Sequence, residues 1–398
     1  PTISFYLLLP FFIFFSVNTI NAGSIYSSQG IGLVRYFNSG RSVGMGGVGL
    51  AIIDNLTVSF LNPASLSAIP LTTFSGSFVH ESSQLKSSSQ NGTIVDTNIF
   101  GVQFIVPLYQ NVAALSIGIN PYSSIEYNFV NATEVEPILS ESVVGDGGVS
   151  TAFLSFAVRP FKNLYLGATG LFYFGVLKNT YRVDFESPEF FDVNDEVSRS
   201  FTAGGLRVGF VYKIVPGWSI GGVFSTATKF DANTTVTLQR VTQFTDFPDK
   251  NIEIPIAYGG GTAFNIGRKV LVGIDYYAQK WTDSSIENFV NDSKRIGIGF
   301  EYSSRGNYLD PFFSRVAYRA GFFYRDLGLE MPEGEKVTEF FGSIGIGIPI
   351  KWSAARLDLA LEFGRRGNVS RNPVRENIIR LTGSVAVGNR WFYRGGRK

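Results

Sequence analysis

One pattern governs this chain from about residue 71 onward: apolar side chains alternate with small or charged ones at a period of two. At 295–302 one face reads Ile296, Ile298, Phe300 and Tyr302, and the other Arg295, Gly297, Gly299 and Glu301. At 315–325 Val316, Tyr318, Ala320, Phe322 and Tyr324 oppose Arg315, Ala317, Arg319, Gly321 and Arg325. At 355–364 Ala355, Leu357, Leu359, Leu361 and Phe363 oppose Arg356, Asp358, Ala360, Glu362 and Gly364. The same test finds about fourteen strand-length segments, near 71–83, 96–108, 111–121, 149–160, 163–176, 199–214, 217–229, 251–266, 268–282, 293–304, 314–326, 338–350, 354–365 and 376–392.

Their connections alternate in length. Short ones fall at Tyr109-Gln110, Phe161-Lys162, Val215-Pro216, Gly267 and Lys351-Trp352-Ser353, and only 305–313 breaks that run. The others are longer, notably 122–148, 177–198 and 230–250. Short turns on one rim and long loops on the other are the signature of an outer-membrane barrel. An even strand count puts both termini on the short-turn, periplasmic side and the long loops outside the cell. The expected fold is therefore all-β, a membrane-spanning antiparallel β-barrel over 71–398.

A soluble sandwich also alternates, with its apolar face inward. The polar face, full of glycine and charge without the lysine-rich pattern of an exposed sheet, favours the barrel, and composition suits it. Charged residues are 17% of the chain, against ~25% in soluble domains, while aromatics reach 15% and glycine 44 of 398 residues. A mean hydropathy of +0.12 suits a wall that is apolar outside and polar inside. Aromatics near segment ends (Trp218, Trp281, Tyr302, Tyr324, Trp391, Phe392) read as interfacial girdles. A net charge of +2 gives no nucleic-acid signature. The lack of cysteine excludes disulfides and thiolate metal sites.

The first 22 residues read as a signal peptide: an apolar run at 5–17 (FYLLLPFFIFFSV), then a polar stretch ending in Ala22. Residues 23–70 lack the strand alternation. Their centre, GRSVGMGGVGLAIIDNLTVSFLNPASLS at 40–67, is glycine-rich and cannot face lipid with its amides unpaired. It is expected to sit in the lumen as a hatch. Gly44, Gly46, Gly47 and Gly49 have the look of a phosphate loop, but the flanking strand, helix and Lys-Ser/Thr are missing. They are read instead as allowing close packing.

The stretch GVGLAIIDNLTVSFLNPASLSAIPLTTFSGSF resembles the hatch of FadL-type outer-membrane transporters, with Asn62-Pro63-Ala64 at the hatch motif just before the first strand. GRSVGMGGVGLAIIDN and the ending ENIIRLTGSVAVGNRWFYRGGRK look more like the PorV/PorQ branch, found with type IX secretion. The resemblance implies a fourteen-stranded barrel, a hatch, and lateral delivery of a hydrophobic ligand through a gap at a kinked third strand. Here the third segment ends in Asn120-Pro121, where proline removes a ladder donor.

Two functional classes follow. One is passive transport of a fatty acid or hydrocarbon through a hatch-gated lumen, driven by apolar transfer worth about 0.8 kcal/mol per CH₂. The other is a PorV-like protein that holds exported protein cargo on its loops. Partners are outer-membrane lipid and lipopolysaccharide, with no cofactor and no metal. The inward charges Arg207, Asp275, Arg295, Glu301, Arg315, Arg319, Arg356, Asp358, Glu362 and Arg380 either pair to hold the hatch or offer an arginine fork to a ligand carboxylate. The first reading is preferred. The acidic, aromatic stretch at 184–196 reads as a solvated external loop before it reads as a cation site. With one histidine, a Ser–His hydrolase site is confined to His80 and Ser82; an inert lumen or rim residue is the better reading, and no enzyme is expected.

Overall fold

The computed structural model describes residues 23–391, apart from 37–38, 58–59, 88–90, 134–138, 188, 240–246, 249–251, 285–289, 305–309, 331–335, 351–353 and 371. The signal-peptide segment 1–22, the turn at 351–353 and Phe392 lie outside the described residues.

The N-terminal part holds a 3-10 turn at Ile25–Ser28, strand β1 (Leu33–Val34), helix α1 (Gly40–Gly44) and a second 3-10 turn at Pro63–Ala68. Strands then follow in order: β2 (Thr72–Ser87), β3 (Asn91–Tyr109), β4 (Ala113–Pro121), β5 (Ser123–Thr133), β6 (Leu139–Phe161), β7 (Leu164–Phe185), β8 (Val193–Val215) and β9 (Trp218–Ser225). Four short ones come next, β10 (Thr228–Lys229), β11 (Asp231–Thr237), β12 (Phe247–Pro248) and β13 (Glu253–Ile254). The chain continues with β14 (Ala257–Ile266), β15 (Val270–Gln279), β16 (Ser293–Ser303), helix α2 (Phe312–Arg315), β17 (Ala317–Glu330), β18 (Lys336–Ile350), β19 (Ala354–Arg366) and β20 (Val374–Asn389).

Strand β2 pairs with β3 on one side and with β20 on the other, from Thr72↔Asn389 to Ser87↔Val374. The sheet thus closes as a 14-strand antiparallel barrel with 3 extra strands. Closure removes the two terminal edges that an open sheet would present. The alternation sorts as the physics requires. Ile296, Ile298 and Phe300 stand outward at 52%, 48% and 44% exposure, while Arg295 and Arg319 point inward and are buried.

Described residues of the N-terminal segment pack against the inward face of this wall, and the reason is visible in the glycines. A Cβ on Gly299 or Gly321 would collide with the Met45–Gly46 backbone, one on Gly221 with Leu50, and one on Gly167 with Pro63 and Ala64. Inward glycines of the barrel therefore leave room for the backbone of the N-terminal segment. Val43, Met45, Val48, Leu50, Ala64 and Leu66 are almost wholly buried there.

Several details differ from the sequence reading. The long connections are largely strand: β5 and the first part of β6 occupy 123–133 and 139–148, and β7 and β8 leave only 186–192 as a turn between them. Past the apolar belt both faces of a strand meet polar surroundings, so strict alternation is not needed and its loss conceals the strand. Trp281 is not a girdle residue; it lies in a 3-10 turn, fully buried within an apolar cluster that includes Leu327 and Val337. Arg315 is not an inward strand residue. It ends α2 with its guanidinium 5.8 Å over the exposed Phe312 ring.

Candidate functional site

Three features converge inside and beside the barrel: the seat of the N-terminal segment, a ring of buried charges, and a break in the wall. The seat starts from Asn62-Pro63-Ala64. Asn62 Oδ1 accepts the Ala64 N–H at 3.1 Å and caps the 3-10 turn, with proline at its start where no N–H is needed. Its Nδ2 donates to the carbonyls of Leu50 (2.6 Å) and Phe210 (3.0 Å). One side chain thereby ties the turn to the segment before it and to β8. Gly46 and Gly47 take left-handed backbone, φ +62° and +71°, which lets the chain reverse just after α1. The Gly46 N–H donates to Ser343 Oγ, and its carbonyl accepts from Arg295. Asp275 Oδ2 accepts the Gly49 and Leu50 N–H groups at 2.7 and 2.8 Å.

Next to this seat, six charged side chains form a closed ring of alternating sign. Arg41 contacts Asp54 (3.0 Å) and Glu301 (2.9 Å); Arg319 contacts Glu301 and Asp358 (both 2.7 Å); Arg356 contacts Asp358 (2.8 Å) and Asp54 (2.6 Å). Arg41 and Asp54 belong to the N-terminal segment, and the other four to β16, β17 and β19. All six side chains are at most 16% exposed. Burial by itself would raise a carboxyl's pKa; Arg356 and Arg41 outweigh it and hold Asp54 well below the ordinary carboxylate range.

A second network fills the lumen toward the other rim. Arg380 bridges Glu81 (2.8 Å) and Glu362 (3.0 Å), and Arg366 bridges Glu339 (3.0 Å) and Glu376 (2.8 Å). Arg207 donates to Ser225 and to the Phe60 carbonyl. Of the ten charges named from sequence, nine line the lumen and Arg315 does not. Sequence reasoning missed Arg41, Asp54, Glu81, Glu339, Arg366 and Glu376. Glu339 and Arg366 were within reach, since each shares the inward face of its strand with Phe341 or Glu362. Arg41 and Asp54 carried no such signal, because their segment has no period.

The wall break lies at Asn120-Pro121. Strand β4 pairs with β3 only as far as Val102↔Ile119, and β5 pairs with β6 and, at Ser123 and Ser124, with β1. Among the described residues, 91–101 of β3 therefore has no strand partner on the β5 side. A bulge in β3 beside Gly101, whose φ is +143°, faces Asn120 across this break. A cavity of about 340 Å³ occupies the outer side, bordered by Ile99, Pro121 and Val176. A smaller one of about 90 Å³ lies on the lumen side, among five arginines and four carboxylates together with Val79, Ile94 and Phe100. Arg35 and Ser124 border both. Arg35 reaches across to Asp96 at 3.4 Å, standing between the two spaces.

His80 lies on the outer face, not in the lumen. Its neighbours Val79 and Glu81 point inward, and its Nδ1 lies 2.7 Å from Thr97 Oγ1. Among the described residues no group of three or more His, Asp or Glu is placed to hold a metal ion.

A closed 14-strand barrel with an apolar outer belt, its inward face packed against an N-terminal segment, is a fold shared with solved channels. Solved structures with this fold include the Ralstonia pickettii toluene transporter TbuX (TM-score 0.59, 16% identity, 89% of this chain and 98% of that one). The CymD monoaromatic hydrocarbon channel (TM-score 0.56, 16% identity, 91% and 99%) and a Pseudomonas aeruginosa FadL homologue (TM-score 0.59, 10% identity, 89% and 98%) share it too. Among curated proteins none matches. A family model described as BamG matches residues 2–396, and the chain belongs to that family.

Proposed function

We propose that this protein is an outer-membrane barrel for passive transport of hydrophobic small molecules of the fatty-acid or hydrocarbon class. Its termini would be periplasmic and its long strand extensions extracellular, in contact with lipopolysaccharide. The observation that carries the reading is the break at Asn120-Pro121, where the β3–β4 ladder stops at Val102↔Ile119 and β1 takes up the edge of β5. A solute in the lumen would leave sideways there into the bilayer. The hydrocarbon and toluene channels that share the fold support this assignment.

The lumen-side cavity, about 90 Å³, is smaller than the ~300 Å³ at which small-molecule sites begin. Passage therefore requires the N-terminal segment to move as a hatch, and the charge ring is what such a move breaks.

The test is uptake of a labelled long-chain fatty acid into proteoliposomes. Uptake well above that of empty vesicles is expected; uptake equal to theirs overturns the transport reading.

A second reading keeps the PorV-like role, in which the outer rim holds an exported protein and nothing crosses. One observation favours it: the lumen is filled by buried aromatics, Tyr122, Tyr173, Phe201 and Tyr277 among them. Binding of exported protein to vesicles that show no uptake would select it.

A further inference from the structure

We propose that the outer wall carries a second hydrocarbon site, a notch across β6, β7 and β8 that takes one acyl chain of a surrounding phospholipid. The proposal rests on the reading of the apolar belt as lipid-facing. The notch adjoins the break at Pro121 but has its own lining: Pro121 stands opposite Ser150, two residues from Ala152 of the notch.

The register builds the notch. Ile117 stands opposite Leu154, Leu154 opposite Gly170, and Gly170 opposite Leu206. One rung away, Ala152 stands opposite Phe172, and Phe172 opposite Gly204. Bulky outward residues thus flank a floor of glycine and alanine. Leu154, Phe172 and Leu206 are 59%, 52% and 46% exposed, so they form walls and do not fold over the floor. The resulting space is about 710 Å³.

The glycines are the telling residues. A Cβ on Gly204 would meet nothing within 4 Å, and one on Gly170 only the Leu154 carbonyl at 3.9 Å. Neither has the positive φ that demands glycine. The inward glycines make room for the N-terminal segment; these two make room for nothing within the chain. Glycine weakens a strand, and inside one it often marks a place where a ligand comes close.

The ladder is also interrupted at this spot. Strand β8 pairs with β9 up to Arg207↔Ser225 and with β11 from Thr202↔Asp231, which leaves 203–206 outside either ladder, beside 226–230, where the two-residue β10 pairs with β13 instead. Beneath lie the buried Leu171, Tyr173 and Phe201.

Charge and shape select the occupant. The lining carries no charged side chain, and its single polar side chain, Thr226, already accepts the Leu206 N–H at 3.1 Å. An occupant meets no charge and no uncommitted polar side chain, which favours hydrocarbon. The notch is continuous with the outward apolar belt, which places the lipid's own chains against it. A flat neighbouring barrel wall would not reach a floor recessed between Leu154 and Leu206.

The test uses the full-length protein in vesicles of phosphatidylethanolamine that carries a diazirine midway along one acyl chain. After irradiation, adducts are mapped by peptide mass spectrometry. Adducts on 152–154, 170–172 and 204–206 should exceed those at Ile298 and Ile344, comparably exposed on another part of the wall, by several-fold. Gly170→Leu with Gly204→Leu should abolish that excess; Gly204→Ala, whose Cβ meets no atom, should reduce it even if the double variant fails to fold. Even labelling around the belt overturns the notch while leaving the lipid-facing reading intact. Chains crosslinked to each other at the notch also overturn it. No adduct anywhere on the belt sinks the lipid-facing reading itself.

Discussion

Asp54 ties the N-terminal segment into the ring of buried charge. It takes both Arg41 and Arg356, and it is the acid that the N-terminal segment contributes to the ring. Removing one partner of a buried pair leaves an uncompensated charge and costs about 3–5 kcal/mol. Asp54→Asn should therefore raise amide exchange across 40–57 while the far-ultraviolet circular dichroism of the barrel stays unchanged. Because Asp54 titrates lower in the folded protein than when unfolded, its contribution is complete above the unfolded value of ~3.9 and decays as pH falls toward the folded one. The gap in thermal midpoint between wild type and Asp54→Asn should stay constant from pH 8 to about 5 and narrow below about 4. A gap that already closes at pH 6 would contradict the pairing. Glycines give a paired test. Gly221→Ala drives a methyl into the Leu50 backbone and should cost about 1–3 kcal/mol in chemical denaturation. Gly342→Ala meets no atom within 4 Å and should stay within about 0.5 kcal/mol of wild type.

Among the elements, the third wall strand is the one the sequence described least well. Its first half, 113–121, alternates cleanly, and the proline of the Asn120-Pro121 step marks a place where a ladder loses a donor. What could not be read was that the chain continues as β5 on the far side, because Ser123 and Asn131 cut the apolar set to three residues, Ile125, Tyr127 and Phe129. Nor could the two-residue β1 be seen, since pairs this short carry no period. The N-terminal segment was legible by contrast with the wall, through its glycines and Asn62-Pro63-Ala64. Its ionic partners were not, because a contact between residues 41 and 301 has no local trace. Restoring a donor with Pro121→Val should let β4 run on beside β3 and narrow the break. Aqueous maleimide labelling of Ser124→Cys, which borders both cavities, should then fall several-fold. Unchanged labelling would show that the bulge by Gly101, and not proline, sets the break.

For the whole molecule, the barrel itself was written in the alternation: 14 strands close where about fourteen were counted, and the inward arginines and glycines at 295–301, 319–325 and 356–364 fall where the period puts them. Transport through such a barrel stands or falls on whether its N-terminal segment can leave its seat. The chain has no cysteine, so a lock can be introduced cleanly. A Cβ on Gly44 would lie 3.5 Å from Ala360 Cβ, within the span of a disulfide. Fatty-acid uptake by Gly44→Cys/Ala360→Cys proteoliposomes, measured oxidised and then reduced, is the most direct measurement. Uptake at the empty-vesicle level when oxidised, returning to the wild-type rate on reduction, is the predicted result. Equal uptake in both states would show that solutes pass without the segment moving, and would contradict the hatch.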